Sequence, residues 1–344
     1  MELLLSNFPP ASYSNNSSRR YFEQAIKGCV ELKIASGYIS SDALIDLKRI
    51  IELNGRPKLD LMIGMHFFDG FTRGQYRAAI ELNSFLKDHN LGSVKLSDRL
   101  KFHGKMYSFL QSDSSRSAII GSSNLGSLYD GLDRLYETDI LLKGTESLDI
   151  SRVIEDIINK LGTSLEEIQN IRFVANNKLL ENHENVRKVE SEELAKIQKS
   201  TLKDGFRIPI KAEPKSHLNP YFGKGRDNHR GYIAPRPWYE VEIIVSKKIT
   251  SLPGYPRSRS FTVFTDDGWS FKCETNGTNS KNFRSKDDLK ILGKWIKGRM
   301  EEDGALEIGT RVTREIIESY GRDYITLLPT DNPDIWYIDF KPSK

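Results

Sequence analysis

The sequence predicts two domains, an α/β layer domain followed by a mainly β domain. The chain has 344 residues, more than one domain usually contains. Between Val30 and Leu142, short apolar runs alternate with helical patterns, which favours an α/β architecture. Beyond Asp204, β-branched and aromatic runs are divided by Pro and Gly, as in β-rich domains. The predicted organisation is a first domain over 1–165, a connector over 166–203 and a second domain over 204–344.

Each element of the first domain follows from its local pattern. Val30–Ile39 is a β-rich run, and the helix predicted at Ser41–Asn54 begins at a serine that can cap it. Lys58–Met65 is short and mostly apolar, which predicts a buried strand. The other predicted elements are helices at 75–89 and 147–161 and strands at 93–97, 101–110, 117–120 and 135–142.

The connector and the second domain differ from the first domain in composition. The stretch before residue 204 is rich in Glu, Asn and Lys and poor in aromatics, which predicts a helical or extended linker. The predicted elements that follow are strands at 239–245, 260–265, 269–274, 324–328 and 335–340 and helices at 286–300 and 311–320.

Cysteine content and the lack of long apolar runs restrict the class of protein. Cys29 and Cys273 are the only two cysteines, too few for a disulfide framework or a Cys-rich zinc site within the chain. A reduced, intracellular setting is the simplest interpretation. The N-terminus lacks the pattern of a secretion signal, and no run of about eighteen apolar residues occurs. We therefore expect a cytoplasmic protein that does not enter a membrane.

Positive charge is concentrated in one part of the second domain. The formal net charge of the chain is +4. By position it is zero over 1–203, +8 over 224–299 and −5 over 300–344. A localised basic stretch favours phosphate binding, although Lys and Arg also serve ordinary solubility. Charge alone leaves both interpretations open.

A histidine and a lysine are placed together in the predicted strand 101–110. Side chains two residues apart share one face of a strand, so His103 and Lys105 are predicted to project together. This arrangement puts a base beside a cation. Taken alone, a histidine in a strand is more often a structural residue.

Two further polar segments follow this pair. The strand 117–120 ends in Gly-Ser-Ser-Asn at 121–124, where a glycine allows a sharp turn that carries small hydrogen-bond donors. The strand 135–142 carries Glu137 and Asp139 on one face of an otherwise apolar run, where carboxylates need partners. Each segment alone also fits an ordinary turn or a solvated strand face.

The combination of His-x-Lys, Gly-Ser-x-Asn and an acidic strand resembles the active-site motif of the phospholipase D superfamily. The resemblance implies that His103 attacks a phosphodiester phosphorus and forms a covalent phosphohistidine, which water later hydrolyses. Lys105, Ser122 and Asn124 are expected to hold the non-bridging oxygens. Glu137 is expected to hold the second imidazole nitrogen. Fixed cations and donors can replace a metal in this task, so we expect no metal and no cofactor.

The sequence departs from the superfamily pattern in two ways. The pattern has Asp five residues after the lysine, where this chain has Leu110, so the role of that Asp is unfilled or moves to Glu137 or Asp139. The chain also holds one motif where the lipid enzymes hold two. Shorter nucleases of the superfamily dimerise so that two histidines face each other, one as nucleophile and one as acid. We therefore expect a C2 homodimer through the first domain.

Two loops of the second domain, 221–230 and 276–284, combine basic, amide and aromatic residues. Arg matches the hydrogen-bonding edge of guanine and Asn that of adenine in the major groove. Flexible surface loops have a similar composition. The candidate DNA-binding residues are Lys224, Arg226, Asn228, Arg230, Asn279, Lys281, Asn282 and Arg284.

A one-motif phospholipase D domain followed by a β-rich DNA-reading domain resembles restriction endonucleases of the BfiI and NgoFVII type, over nearly the whole chain. The resemblance implies a first domain with a mixed sheet flanked by helices. It also implies a second domain that is a B3-like pseudobarrel and grips the major groove of double-stranded DNA with two arms. The recognition site is expected to be short and asymmetric, with cleavage outside it. For some members the resemblance implies an ATP-driven, helicase-like partner subunit.

We therefore expect a sequence-specific, metal-independent type II restriction endonuclease, and two alternatives stay open. A lipid phosphodiesterase is disfavoured by the single motif and by the lack of an apolar stretch that could face a membrane. A DNA-binding regulator with an inactive first domain is suggested by the missing Asp at Leu110. Loss of function in His103→Ala would separate a nuclease from such a regulator.

Overall fold

A computed structural model describes the chain except for residues 129–134, 175–178, 182, 203, 228–230 and 343–344. Its contacts divide it into two units. The first unit comprises Met1–Asn177 and Gly225–Pro235, and the second comprises Lys178–Lys224 and Arg236–Lys344. Among the residues described, no helix is both long enough and apolar enough to span a bilayer.

The first unit is built on one mixed sheet with helices packed against it. Its strands are β1 (Glu2–Leu5), β2 (Cys29–Ser36), β3 (Lys58–Ile63), β4 (Gly92–Ser97), β5 (Lys105–Gln111), β6 (Arg116–Gly121), β7 (Thr138–Lys143) and β8 (Gly162–Ser164). Its helices are α1 (Ser18–Ile26), α2 (Ser41–Leu53), α3 (His66–Asp69), α4 (Arg73–Asp88) and α5 (Thr145–Leu161). The order across the sheet is β1-β7-β6-β5-β2-β3-β4-β8. The β2–β3 and β3–β4 pairs are parallel, and the other pairs are antiparallel.

Caps and apolar faces explain where the helices of this unit begin. The residue that caps α2 is Ser40 rather than the predicted Ser41, and its hydroxyl accepts from the Ala43 N–H at 3.3 Å. Thr72 and Gln75 form a capping box, which starts α4 two residues before the predicted position. Helix α5 packs Ile154 and Ile158 against the sheet.

Two predicted strands begin later than the sequence pattern indicates, and both differences change the placement of candidate catalytic residues. Strand β5 starts at Lys105 rather than residue 101, because the segment before it bonds across the ends of β2 and β3: the Phe102 N–H donates to the Gly64 carbonyl at 3.1 Å. Strand β7 starts at Thr138 rather than residue 135. His103 and Glu137 therefore lie just before strands and not within them.

The second unit is built on a mainly antiparallel sheet. The strands that follow β8 in the chain are β9 (Val186–Lys188), β10 (Phe206–Pro209), β11 (Arg226–Asp227), β12 (Ile233–Ala234), β13 (Ile243–Ile244), β14 (Ser260–Thr265), β15 (Trp269–Asn276), β16 (Asn282–Ser285), β17 (Tyr324–Pro329) and β18 (Ile335–Asp339). The helices are α6 (Ser191–Lys199), α7 (Lys247–Thr250), α8 (Ile291–Glu302) and α9 (Arg314–Tyr320). The sheet order is β10-β17-β18-β14-β15-β16-β13, with β9 added on β15 and a parallel β14–β18 pair. Strands β11 and β12 pair only with each other and belong with the first unit.

Part of the stretch predicted as a connector, 166–203, folds onto the second sheet. Strand β9 pairs with β15. Leu194 and Ile197 of α6 pack against a buried cluster that includes Phe264 and Tyr337. The strand predicted at 239–245 is reduced to Ile243–Ile244, because the carbonyl of Tyr239 is packed against Gly293 of α8, where a Cβ would lie 1.8 Å away.

Candidate active site and DNA-recognition residues

The structure brings His103 and Lys105 into contact. Lys105 Nζ lies 3.2 Å from His103 Nε2 and donates to the His103 carbonyl at 3.0 Å. An ammonium can only donate, so Nε2 accepts from it, and in the neutral ring the proton is then on Nδ1. His103 is exposed, whereas the Lys105 side chain is buried.

Lys105 is a buried cation that lacks a carboxylate partner in the part of the chain the structure describes. Only 8% of the residue is exposed, and its Nζ makes its two hydrogen bonds to His103. A buried ammonium without an opposite charge is unfavourable, and a bound anion would relieve that cost. The pair is therefore suited to bind a phosphate group.

Glycines fix the backbone that carries His103. The Gly37 N–H donates to the Gly104 carbonyl at 2.9 Å, beside the bond between Phe102 and Gly64. A Cβ at Gly64 would lie 2.0 Å from the Phe102 carbonyl oxygen, and one at Gly37 would lie 3.0 Å from His103 Cα. Neither glycine is among the residues predicted to matter for the site. The available signal was a glycine inside a predicted strand, which marks a close backbone approach.

The turn after β6 brings Ser122 beside Glu137. Ser122 Oγ donates to Glu137 Oε2 at 2.5 Å and accepts from the Thr138 N–H at 2.9 Å. Ser127 Oγ donates to the other oxygen of the same carboxylate at 3.0 Å. Within the described residues, no hydrogen bond joins Glu137 to His103. The structure thus pairs Glu137 with Ser122, where the resemblance implied a bond to the imidazole.

Asn124 has hydrogen-bonding capacity left over. Its side-chain Oδ1 is buried and has no partner among the residues described. Its backbone carbonyl accepts from the Ser127 N–H at 3.0 Å, which closes the turn. This oxygen is an acceptor, so any contact with a phosphate oxygen has to come from the Nδ2 donor of the same amide.

Asp139 holds the turn and not the histidine. Its buried carboxylate accepts from the hydroxyls of Ser18 and Ser123 and from the Ser123 N–H at 3.0 Å. A Cβ at Gly121 would lie 2.1 Å from Asp139 Oδ1, so glycine makes room for the carboxylate. In the described part of the chain, no group of three or more His, Cys, Asp or Glu is placed to hold a metal ion.

Leu110 occupies the position at which the superfamily has Asp, and it lies far from the histidine. It is five residues along β5 from Lys105, about 17 Å at the usual rise of a strand. Its cross-strand neighbours are Glu31 and Arg116. A carboxylate at this end of the strand could not contact the His103–Lys105 pair. Neither Glu137 nor Asp139 lies at this position, so neither replaces the missing Asp.

In the second unit, the predicted loop 276–284 contains a tight turn between β15 and β16. Gly277, Asn279 and Ser280 have φ values of 73°, 59° and 53°, in the left-handed region. Asn279 and Lys281 are exposed on this turn. Asn282 Oδ1 is buried and unpartnered within the described residues. The turn therefore presents one amide and one ammonium to solvent on a constrained backbone.

Arg284 on β16 is held by two carboxylates. Its Nε donates to Glu274 Oε1 at 2.9 Å, and its Nη1 donates to Glu242 Oε1 at 3.3 Å. Glu274 is its cross-strand neighbour and also accepts from Asn276 Nδ2 at 2.8 Å. The guanidinium is about one-third exposed. These bonds fix its orientation and still leave donors free for a base edge.

The other predicted loop, 221–230, is divided between the units. Lys224 belongs with the second unit and Arg226 with the first, and both are exposed. On β12, the backbone of Ile233 exchanges two hydrogen bonds with the side-chain amide of Asn54, at 3.1 and 3.2 Å. Two of the predicted residues lie outside the described part of the chain: Asn228 and Arg230.

Two family models match most of the chain. Residues 16–170 match the N-terminal phospholipase D domain of the NgoFVII restriction endonuclease. Residues 196–331 match the NgoFVII C-terminal B3-like DNA-binding domain. The chain belongs to the NgoFVII family of restriction endonucleases. This NgoFVII-family protein is therefore a metal-independent nuclease of the phospholipase D type joined to a B3-like DNA-binding domain.

Two solved structures align with part of the NgoFVII-family chain. A phospholipase D family member, Nuc from Salmonella typhimurium, is 12% identical, with 47% of this chain and 95% of that chain covered and a TM-score of 0.33. Polyphosphate kinase from Porphyromonas gingivalis is 14% identical, with 50% of this chain and 27% of that chain covered and a TM-score of 0.32. These TM-scores are too low to support an argument. No curated protein matches the chain.

The family match and the two sheets confirm the predicted fold class. The first unit is the α/β phospholipase D-like domain, with a mixed sheet and helices. The second is mainly β, as the B3-like domain requires. The match favours a nuclease of the NgoFVII family over the lipid phosphodiesterase that the sequence left open.

Proposed function

We propose that this endonuclease cuts DNA by attack of His103 on phosphorus, through a covalent phosphohistidine. The observation that carries the proposal is the buried Lys105 ammonium, which contacts the exposed His103 Nε2 and has no carboxylate partner in the described chain. A phosphate oxygen that replaces Nε2 as the acceptor of this ammonium's hydrogen bond would free the Nε2 lone pair and bring phosphorus within its reach. Asn124 is a second candidate ligand for that phosphate, through the Nδ2 donor of its side-chain amide.

The proposed reaction has two steps. In the first, Nε2 of His103 forms a bond to phosphorus, the bond to the leaving oxygen breaks, and that oxygen takes a proton from an acid. In the second, water attacks phosphorus and gives its proton to the conjugate base of that acid, and the P–N bond breaks to restore the neutral imidazole. Lys105 stabilises the charge on the non-bridging oxygens in both steps.

The Ser122–Glu137 pair would change partners when substrate binds. Ser122 donates its only proton to Glu137. If Glu137 turns to accept the Nδ1 proton of His103, Ser122 becomes free to donate to a phosphate oxygen. One exchange of hydrogen bonds thereby gives both residues the roles that the superfamily resemblance implies.

We also propose that the acid for the leaving oxygen is His103 of a second copy, in a C2 homodimer. The chain holds one His-x-Lys motif, so a second imidazole has to come from another molecule. Exposed apolar side chains lie close to Glu137 in the sequence and along β1 and β7, where Leu3 and Ile140 are opposite each other. Leu135 and Tyr136, which precede Glu137, are also exposed. This surface is suited to contact its own copy.

The dimer is tested by placing a charge on that surface. Ile140, which is 39% exposed, is changed to Lys, and Val153 on α5, which is 43% exposed, is changed to Lys as a matched control. We expect Ile140→Lys to be monomeric by light scattering and to lose cleavage while it still binds a DNA duplex. Val153→Lys should behave as wild type. An Ile140→Lys variant that is monomeric and cuts normally would contradict the shared active site.

The chemistry is tested with His103→Ala and with labelled DNA. Wild-type enzyme should cut a plasmid in excess EDTA, and His103→Ala should bind the same DNA but leave it intact. Uniformly ³²P-labelled DNA should become attached to wild-type protein through a bond that is stable in base and cleaved in acid, as expected for a phosphohistidine. Cleavage by His103→Ala, or the lack of an acid-labile adduct in rapid quench, would overturn the mechanism.

We propose that the B3-like domain reads a short asymmetric sequence and that the cut falls outside it. Reading and cutting belong to separate domains, and the second domain carries Arg284 in a fixed orientation at a polar sheet surface. Sequencing of the ends produced from a randomised library would give the site and the distance to the cut. The same assay with and without ATP would test the expected helicase-like partner, whose involvement predicts that the purified chain alone cuts poorly.

A further inference from the structure

One aromatic side chain near His103 is not part of the motif. Tyr38 follows β2, and its ring centroid lies 5.5 Å from that of His103, with the planes at 78°. Among the residues described, the imidazole makes its ring contact with Tyr38 and its hydrogen bond with Lys105. Because His103 is exposed, these two contacts are what limits the rotation of its ring.

Tyr38 is itself held firmly. Its hydroxyl donates to Asp69 Oδ2 at 2.7 Å, and the other oxygen of that carboxylate accepts from Lys101 Nζ at 2.7 Å. Its carbonyl accepts from Ser36 Oγ at 3.0 Å. Its ring also contacts His66, at 5.6 Å between centroids and 90° between planes.

His66, which contacts the Tyr38 ring, is itself held rigidly. It is 5% exposed, its Nε2 accepts from the Ile39 N–H at 3.2 Å, and its Nδ1 lies 3.1 Å from the Gly70 carbonyl. Its ring also stacks on Phe71, at 4.8 Å. Burial lowers the pKa of His66, so the ring is neutral at neutral pH. The Tyr38 ring therefore contacts both a fixed imidazole and the exposed imidazole of the proposed nucleophile.

We infer that Tyr38 is a positioning residue for cleavage: its ring keeps the His103 imidazole turned so that Nε2 faces the phosphate held at Lys105. The inference rests on the proposed role of His103. A nucleophile must be held near its attack geometry, and a misplacement of about 1 Å can lower a rate about 100-fold. In this role the ring matters more than the hydroxyl, which only anchors Tyr38 to Asp69.

The test compares Tyr38→Leu, which removes the ring, with Tyr38→Phe, which keeps it. We expect the single-turnover cleavage rate at saturating DNA to fall about 10- to 100-fold in Tyr38→Leu. The Kd for the DNA should be unchanged. Tyr38→Phe should stay within about threefold of wild type, since it loses one hydrogen bond at a partly exposed site. Tyr21→Leu is the control, because Tyr21 packs edge-on against Phe109 rather than against His103.

Several outcomes would overturn the inference. They are a normal rate in folded Tyr38→Leu, a loss in Tyr38→Phe as large as in Tyr38→Leu, or a change in Kd that accounts for the lost rate. Tyr38→Met, whose unbranched side chain has about the same volume and adapts more easily to its surroundings, supplies the same comparison if the leucine variant has a lowered melting temperature. His103→Ala separates this inference from the mechanism. If His103→Ala still cuts DNA, the mechanism fails, whereas an inactive His103→Ala with an active Tyr38→Leu defeats only the role of Tyr38.

Discussion

The nuclease half and the recognition half of the enzyme place their candidate residues in different ways. In the nuclease half, the ends of the adjacent strands β5, β6 and β7 bring Lys105, Ser122 and Glu137 to one region of the sheet. In the recognition half, the candidates come from two loops, and contacts assign Arg226 of one loop to the first unit. Strand register therefore assembles the cutting site, whereas the reading surface combines strand β16, which carries Arg284, with loop residues. Substitutions in each half test this difference.

The largest effect is expected at Lys105 in the nuclease half. Lys105→Met keeps the length of the side chain and removes the charge beside His103. We expect about a 10³-fold loss of single-turnover cleavage, the usual effect of losing one fixed group that stabilises the transition state. The melting temperature should not fall, because a buried cation without a carboxylate partner in the described chain is replaced by an apolar side chain. Lys143→Met, at the exposed far end of β7, is the control. A variant that cuts normally would show that the cation is not used.

A smaller and different effect is expected at Arg284 in the recognition half. Arg284→Ala removes the guanidinium that Glu242 and Glu274 orient. We expect discrimination at one base pair of the site to weaken by about 1–3 kcal/mol, measured as a flattened preference at that position in a cleaved random library. The rate on the best sequence should fall less than in Lys105→Met. A uniform loss at every position would show that Arg284 contacts phosphate or only supports the sheet.

Substitution of Lys281 is expected to weaken DNA binding uniformly across sequences. This contrasts with the loss at a single base pair expected for Arg284. Its side chain is exposed on the turn before β16. Lys281→Ala should weaken binding to all sequences alike and reduce the slope of log K against log salt by about 1, as for one lost phosphate contact. Binding isotherms at several salt concentrations measure this slope. A change in the preferred base at any position would place Lys281 in a groove and not on the backbone.

Sequence patterns predicted the elements of the nuclease half well because its chemistry is local. Apolar periodicity located β2, α2, β3, α4 and β4 to within a few residues. His103 and Lys105 lie together as predicted, although His103 precedes the strand on which that prediction was based. The contacts that orient them could not be predicted. The approach of Phe102 to Gly64 joins residues 38 positions apart. Tyr38 is distant from His103 in sequence and carries no motif, so only the fold reveals their contact.

The recognition half was harder to predict because its decisive pairs are between strands. Arg284 was selected for its side-chain type, but its pairing with Glu274 depends on the register of β15 and β16. Its contact with Glu242 depends on a third segment of chain. Composition also assigned 221–230 to one loop, whereas Gly225–Pro235 belongs with the first unit. Residue propensities cannot predict such non-local contacts, and β-rich units contain many of them.

The smallest expected effect is a loss of folding stability at acid pH. The two halves are alike in this respect, because both contain a buried histidine. In each half, desolvation lowers the pKa of a buried histidine. This histidine is His66 in the first half and His217 in the second. His217 is 3% exposed, and the nearby Lys211 lowers its pKa further while Glu213 opposes this. A histidine whose pKa is depressed in the folded state takes up its proton first in the unfolded chain. Its contribution to stability is therefore complete above the ordinary pKa of about 6.5 and is lost as the pH falls below that value.

Tryptophan fluorescence can follow the pH dependence of stability in the recognition half alone, because the four tryptophans all belong to the second unit: Trp238, Trp269, Trp295 and Trp336. The urea midpoint followed by tryptophan fluorescence should fall between pH 7 and pH 5.5 in wild type. It should fall less in His217→Asn, since asparagine does not titrate and tolerates the φ of 55° at this position. His89→Asn, at an exposed histidine of the first unit, should leave the wild-type pH dependence unchanged. An equal fall in His217→Asn and wild type would assign the acid sensitivity of this half to other titratable groups, and the buried imidazole of His217 would then not contribute to the pH dependence of stability.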